Sequence, residues 1–470
     1  MHPTAFDPSH PALPHRRQLL AVGALSALAL AGGAPRVWAQ AAPPSAPSLP
    51  GGGRLVVVLL RGAYDGLSAF VPYADRDYHA IRPNIAIAVP DGTAQTALKL
   101  DSTFALHPAL GPLLPLWQQG VLGFVPAAGL PAPNRSHFDA QYQMEIGQTG
   151  KTSSAPGWLN TLAAFGAIQR QPSHEAGAVA LGVGEANPAI LGGPASVRLI
   201  PRGRAAVRTG VLANEGTRQA LLELYGGNDR LGEAFRQGAG SRMQSARELN
   251  AQKTEADASR AMAMPEDRRM PDRSLDLDGT PADSQARAAQ MLAASNGAAD
   301  PVGLQLDARH LGILMRNDRH LRLGFLSAGG WDTHANQGAA TGQLANNLGN
   351  LARGIAQLRQ DFSEPGDVIV VMSEFGRTSA ENGTRGTDHG FGNALWLIGN
   401  RVAGGRWHGD WSGLAQGNLN EGRDLPAHHD YRAVLAQVLR ATFGLSDSQL
   451  ADVLPAAGWD NRLNALLKKA

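Results

Sequence analysis

Carboxylates and imidazoles are grouped in five short segments of the chain, each beside a run of apolar residues. The segments read GAYDG (62–66), NRSHFD (134–139), GGWDTHANQ (329–337), SEFGRT (373–378) and GTDHG (386–390). Because the chain has no Cys, Asp, Glu and His are the side chains left for a metal site. We predict these ligands: Asp65, Asp332, His334, Glu374, Asp388 and His389. Four carboxylates and two imidazoles suit one or two divalent ions, with zinc, manganese and calcium all open.

A serine and two arginines in the same segments could act on an anionic ester. Ser136 lies near the start of a predicted helix, where backbone N–H groups favour an anion. Its hydroxyl could bind the metal and attack a phosphoryl or sulfuryl centre. Arg135 and Arg377 could hold the non-bridging oxygens of that group. We therefore predict Ser136, Arg135 and Arg377 as catalytic residues.

The apolar runs beside these segments predict the strands of a sheet. Residues 54–60 are almost wholly apolar, as expected for a central strand buried on both faces. Other predicted strands are 85–89, 121–125, 179–183, 321–327, 368–372 and 395–398, and predicted helices include 107–119 and 134–147. Strands that alternate with helices indicate an α/β fold with a doubly wound, mostly parallel sheet flanked by helices. Ligands of such sheets bind beyond the carboxyl ends of the strands, where the polar segments should meet.

Each candidate residue also has an ordinary structural explanation. Asp65 could form a turn before Gly66, Ser136 and Asp332 could cap helices, and His334 could be a buried core histidine. The expected meeting of five segments at one sheet edge favours a site over these separate explanations.

The N-terminus predicts an exported protein. Arg16 and Arg17 precede an apolar stretch over 19–34, and Ala39 offers a small residue for cleavage. We expect residues 1–39 to be a twin-arginine signal peptide and residues 40–53 to be a linker. The twin-arginine export machinery would then be a partner, and the folded protein would be periplasmic or secreted. A membrane span needs about 20 apolar residues, and the stretch over 19–34 is shorter and would be removed with the signal peptide. We therefore expect no stable span after cleavage.

Charge and composition narrow the function further. Residues 1–39 hold three arginines and one aspartate, so the other 431 residues carry 39 basic and 39 acidic side chains. A balanced chain lacks the basic surface that nucleic-acid binding needs, so we expect no nucleic-acid partner. We expect one α/β domain over 54–465, interrupted by a polar helical or cap insertion at about 229–300. Pro265 and Pro271 predict a break in the helical pattern near 265–284.

The polar segments, with their flanks, resemble the domain-of-unknown-function family 1501. The resemblance rests on the blocks LLRGAYDGLSAFVPY, NRSHFDAQYQMEIG, GGWDTHANQ, VIVVMSEFGRT and GTDHGFGNALWLIG, and it covers about residues 50–465. Members are typically bacterial and carry a twin-arginine signal. The family is more distantly similar to the alkaline phosphatase/sulfatase superfamily, which implies an alkaline-phosphatase-like fold.

That more distant resemblance implies roles for single residues. It makes Ser136 the nucleophile and assigns metal ligation to Asp65, Asp332, His334, the carboxylate of Glu374, and His389. The superfamily usually has Asp-His where this chain has Glu374-Phe375, and its mid-chain pair is four residues apart, where Asp332 and His334 are two apart. The missing imidazole favours a single metal, or an altered second site that Asp388 completes.

The candidate residues and the resemblance together predict two main functions for the protein. The first is an exported metal-dependent hydrolase of phosphate or sulfate esters, acting on a small anionic ester or an envelope component. The second is a non-catalytic periplasmic binding or scaffold protein on a degenerate alkaline-phosphatase-like fold. An enzyme that processes a polymer or the envelope by another mechanism is a third.

Overall fold

A computed structural model describes residues 52–150, 155–167, 178–227, 229–261 and 282–468. The predicted signal peptide, the linker up to residue 51 and most of the predicted break, over 265–281, lie outside the described residues.

The strands form a large sheet and a small one. In chain order they are β1 (Leu55–Leu60), β2 (Phe70–Val71), β3 (Leu98–Lys99), β4 (Ala105–Leu106), β5 (Leu122–Gly129), β6 (Ala180–Val183), β7 (Val197–Ile200), β8 (Leu323–Ala328), β9 (Val368–Ser373), β10 (Asn393–Gly399), β11 (Arg406–Trp407) and β12 (His429–Asp430). The large sheet has the order β11-β5-β10-β9-β1-β8-β6-β7, with β12 also paired to β5. In the described part of the chain, β10 alone runs against the other strands of this sheet. Strands β2, β4 and β3 form the small antiparallel sheet.

Helices connect most of these strands. The α-helices are α1 (Gly66–Ala69), α2 (Arg76–Ile81), α3 (Leu114–Gln118), α4 (His137–Ile146), α5 (Trp158–Ala167), α6 (Glu215–Tyr225), α7 (Arg230–Ala261), α8 (Ala282–Ala294), α9 (Leu304–Asn317), α10 (Gln343–Asp361), α11 (Tyr431–Phe443) and α12 (Asp447–Val453). Short 3₁₀ helices cover Pro108–Leu113, Ala189–Leu191, Gly203–Ala205, Gly210–Ala213, Gln416–Asn418 and Asn461–Leu463. Helices α7 and α8 fall in the predicted insertion. No helix in the described ranges is both long and apolar enough to cross a bilayer.

The large sheet lies between two hydrophobic cores. Successive β1 side chains point to opposite faces, and all six are fully buried. Leu55, Val57 and Leu59 join the core that contains residues of α5 and α11. Val56, Val58 and Leu60 join the core that contains residues of α9 and α10. The predicted α/β fold with a mostly parallel sheet and helices on both faces is therefore confirmed.

Two local predictions need correction. Residues 85–89 are not a strand: Ile85 is the last residue of a turn that starts at Pro83, and of the five only Ala88 forms a bridge, to Thr96. The predicted helix over 107–119 is split into a 3₁₀ segment and α3, because prolines interrupt its N–H donors.

A buried histidine holds the start of that 3₁₀ helix. The Ala109 N–H donates to His107 Nδ1 at 3.0 Å, so the ring proton lies on Nε2, which donates to the Ala339 carbonyl at 3.0 Å. Burial lowers the pKa of His107 to about 4, against the ordinary value of 6.5. The folded protein therefore holds this ring neutral where the unfolded chain would take up a proton.

We expect this histidine to make the protein sensitive to acid. Above pH 6.5 the ring is neutral in both states. As the pH falls from 6.5 towards 4, only the unfolded chain gains the proton, so stability falls. The unfolding free energies of wild type and His107→Gln, measured in urea, should therefore approach each other by about 2 kcal/mol between pH 7.5 and 5. Exposed His320→Gln should keep a constant difference from wild type, and a constant difference for His107→Gln would contradict the prediction.

Candidate metal centre

The strand directions bring the polar segments to one edge of the sheet. Strands β1, β8 and β9 end in register, with Leu60 beside Ala328 and Ser373. Asp332 follows β8, and Glu374 follows β9 directly. Since β10 runs in the opposite direction, its amino end lies at this same edge. The segment that precedes β10 is therefore placed with the segments that follow the parallel strands.

Three imidazole nitrogens meet at this edge around one carboxylate oxygen. His389 Nε2 lies 2.9 Å from His137 Nε2 and 3.1 Å from His334 Nε2. Asp332 Oδ1 lies 3.4 Å from His137 Nε2, 2.9 Å from His334 Nε2 and 3.2 Å from His389 Nε2. His137, Asp332 and His389 are grouped closely enough to hold a metal ion. His334 Nε2 lies beside this group, in contact with His389 and Asp332, and adds a third candidate nitrogen donor.

The other nitrogen of each ring is already occupied. His137 Nδ1 lies 2.8 Å from Glu374 Oε1, His334 Nδ1 lies 3.0 Å from Asp388 Oδ1, and His389 Nδ1 lies 2.9 Å from the Arg135 carbonyl. All three partners are acceptors, so Nδ1 carries the proton in each neutral ring. In a neutral ring the Nε2 lone pair then faces Asp332 and a neighbouring imidazole. A metal ion there would take such lone pairs in place of protons, and metal-binding histidines are commonly held in this way.

The charges around Asp332 keep it ionised. Burial alone would raise the pKa of Asp332, but hydrogen bonds from the three histidines and the charge of Arg377 hold it well below its usual range. Burial alone would lower the pKa of His137, but Asp332 and Glu374 raise it to about 9, so without a metal ion this ring is protonated on both nitrogens and its Nε2 donates to Asp332. A bound ion would replace that proton. Asp332 Oδ2 is buried without a hydrogen-bond partner. A buried carboxylate oxygen without a partner has a free site for a ligand.

The centre is open to solvent on one side. The Asp332 side chain is 1% exposed, whereas His334 and His389 are 23% and 21% exposed. Asp388, behind His334, is half exposed. A small molecule can therefore approach from the side of these two histidines.

Glu374 was predicted as a ligand, but it contacts the outer nitrogen of His137, on the side of the ring away from the candidate centre. Its Oε1 accepts from the Gly62 N–H at 2.7 Å, from Gln141 Nε2 at 2.9 Å and from the His137 ring. Its Oε2 accepts from the Ser373 hydroxyl at 2.9 Å. With both oxygens engaged, this carboxylate orients the imidazole.

Asp65, also predicted as a ligand, lies in a buried ion pair. Its oxygens accept from Arg82 at 2.6 and 3.2 Å, from Ser68 at 2.7 Å and from Gln337 at 2.7 Å. Burial opposes ionisation, but the charge and hydrogen bonds of Arg82 lower the pKa of Asp65 below its usual value. Asp65 is therefore held by Arg82, Ser68 and Gln337 and not by the three histidines.

The predicted catalytic residues are divided between the rim and the interior. Ser136 is exposed and caps α4, and its hydroxyl accepts from the Asp139 N–H at 3.4 Å. Arg135 is partly exposed and forms an ion pair with Glu421 at 2.7 Å. Arg377 is buried, with Nη1 2.7 Å from Asp332 Oδ1.

His137 is the functional residue that the sequence analysis missed. It directly follows Ser136 and is the first residue of α4. The available signal was an imidazole at the start of a helix that reaches the same sheet edge, directly after the predicted nucleophile Ser136.

Comparison with known proteins assigns the family. The family model described as "Protein of unknown function (DUF1501)" matches residues 53–455. The chain belongs to the DUF1501 family. No curated protein matches this DUF1501 chain. The solved structure titled "Crystal structure of Ps i-CgsB in complex with k-i-k-neocarrahexaose" is similar to it at 11% identity and a TM-score of 0.33, over 84% of this chain and 73% of that chain.

We expect the DUF1501 protein to bind one divalent ion per chain at this centre. Elemental analysis of purified wild type should find the ion, and His137→Ala should lose it because the substitution removes one of the three grouped donors. The matched control is His320→Ala, which removes an exposed histidine outside the centre. A wild type that stays metal-free after incubation with zinc, manganese and calcium would contradict the metal centre.

Proposed function

We propose that this DUF1501 protein is an exported metal-dependent hydrolase of phosphate or sulfate esters. The observation that carries the proposal is the meeting of three histidine Nε2 atoms beside one Asp332 oxygen, with all three Nδ1 atoms held by acceptors. The superfamily resemblance and the N-terminal sequence support the ester class and the export, and both are parts of the proposal.

The donor set favours a transition metal. Calcium prefers six to eight oxygen ligands, whereas imidazole nitrogens suit zinc and also bind manganese. Of the three metals open from the sequence, zinc and manganese therefore fit the residues better than calcium does. When bound, such an ion would polarise an ester oxygen and favour the deprotonated form of a nearby hydroxyl.

In this proposal Ser136 is the nucleophile, and its position in the chain supports the role. Its neighbours on both sides contact His389: the Arg135 carbonyl binds Nδ1, and His137 Nε2 lies beside Nε2. The exposed Ser136 hydroxyl also lies at the N-terminus of α4, where N–H groups favour an anionic ester. In the proposed reaction its oxygen bonds to phosphorus or sulfur as the alcohol leaves with a proton. Water then attacks the phosphorus or sulfur and breaks its bond to the serine oxygen, which releases phosphate or sulfate and restores the serine hydroxyl.

One observation favours the non-catalytic alternative. Asp65 is engaged by Arg82, and Glu374 is engaged by several donors, so two carboxylates expected at a catalytic metal have other partners. A binding or scaffold protein with a single structural metal would have such a centre. The two functions differ in turnover, because only the hydrolase consumes esters.

We expect Ser136→Ala to lower ester turnover by roughly 10³-fold or more while the metal content stays unchanged. The assay is a panel of phosphate and sulfate esters with the metal-loaded protein. Ser446→Ala is the matched control because Ser446 is also a helix N-cap, at α12, so both variants lose about 1 kcal/mol of capping.

The outcomes of this assay distinguish the hydrolase with a serine nucleophile from the scaffold protein. Full turnover by Ser136→Ala would remove Ser136 as the nucleophile. Metal-loaded wild type that turns over none of the panel would support the scaffold function instead.

A further inference from the structure

A buried chain of hydrogen bonds links the Asp65–Arg82 ion pair to the metal centre. Gln337 Nε2 donates to Asp65 Oδ2 at 2.7 Å, and Gln337 Oε1 accepts from the Thr387 hydroxyl at 3.0 Å. Arg377 Nε in turn donates to the Thr387 hydroxyl at 3.2 Å. Arg377 Nη1 then contacts Asp332 at 2.7 Å.

The direction of every bond in this chain is fixed by its first member. The ionised Asp65 can only accept, so the amide of Gln337 must turn its NH₂ group towards Asp65. Gln337 Oε1 then faces the other way and accepts from Thr387 and from the Thr333 hydroxyl, at 2.8 Å. Because the Thr387 proton is used there, its oxygen is free to accept from Arg377.

The chain is also closed to water. Gln337, Thr333 and Thr387 are fully buried, and Arg377 is nearly so. A buried donor or acceptor that loses its partner cannot recover a hydrogen bond from solvent, so each member holds the next. The guanidinium of Arg377 is further tied by Nη2 to the Thr387 carbonyl, at 2.6 Å.

We propose that Asp65, Gln337 and Thr387 are positioning residues for the metal centre, which they serve by holding Arg377 against Asp332. This rests on the metal binding in the proposed function. Asp332 is the one carboxylate among the four facing donors, and Arg377 holds the oxygen that faces the histidines. A shift of Arg377 lets Asp332 rotate and misplaces that donor. Asp65 thus acts on the metal through four other side chains, those of Gln337, Thr387, Arg377 and Asp332.

The test compares metal affinity among threonine variants. Thr387→Val keeps the shape but removes the acceptor for Arg377 Nε, and Thr387→Ser restores a hydroxyl. Thr96→Val is the matched control, since Thr96 is also buried and its hydroxyl donates to Asp91, at 2.9 Å. Gln337→Met interrupts the chain one step earlier. Zinc dissociation constants are measured by chelator competition, and cobalt(II) spectra report the geometry of the bound ion.

We expect Thr387→Val and Gln337→Met to bind zinc about 10-fold or more weakly than wild type, with altered cobalt spectra. Thr387→Ser and Thr96→Val should match wild type in affinity and spectrum. Wild-type affinity and spectrum in both Thr387→Val and Gln337→Met would overturn the positioning role while leaving the metal centre intact. Wild type that binds neither zinc nor cobalt would overturn the proposed function and this inference together.

Discussion

The Asp332 carboxylate is the interaction on which the site depends. It is buried at the end of β8, and its Oδ1 faces Arg377 and three imidazoles at once. An isolated buried carboxylate would be strongly destabilising, so this charge must be compensated by its neighbours. Arg377 supplies one positive charge, equal to that of the carboxylate, and hydrogen bonds from the histidines stabilise it further. The surrounding hydrogen bonds serve to hold these compensating groups in place.

The fold places the compensating groups around Asp332 through the direction of its strands and through the close approach of the backbone after β1 to the Asp332 backbone. The parallel strands β1, β8 and β9 end in register, and the single reversed strand β10 brings His389 to the same edge. Just after β1, Gly62 has a φ of +112°, and a Cβ there would lie 2.9 Å from the Asp332 nitrogen. A larger residue would push the Asp332 backbone away. Gly62 also donates its N–H to Glu374, so one tight turn serves two parts of the centre.

The sequence was sufficient to predict where the polar segments meet, because strand ends can be read from apolar runs. Asp332, His334, Asp388 and His389 were predicted at the sheet edge, and the structure brings them together. Which carboxylates face the histidines could not be read in this way. Arg82 lies 17 residues beyond Asp65, and the pairing depends on how the segment after α2 folds back. His137 was missed for a related reason: only the three-dimensional path of α4 turns its ring inward.

These pairings set the charge of the centre. If Asp65, Asp332, Glu374 and Asp388 all bound one divalent ion, four negative charges would outweigh its two positive ones. Such a site would repel an anionic ester. In the structure Arg82 engages Asp65, while Glu374 and Asp388 face the outer nitrogens of His137 and His334. Were an ion bound, Asp332 would be the one anionic donor facing it, and neutral imidazoles would leave a net positive charge at the ion. Directing the other carboxylates to other partners would therefore favour an anion at this centre.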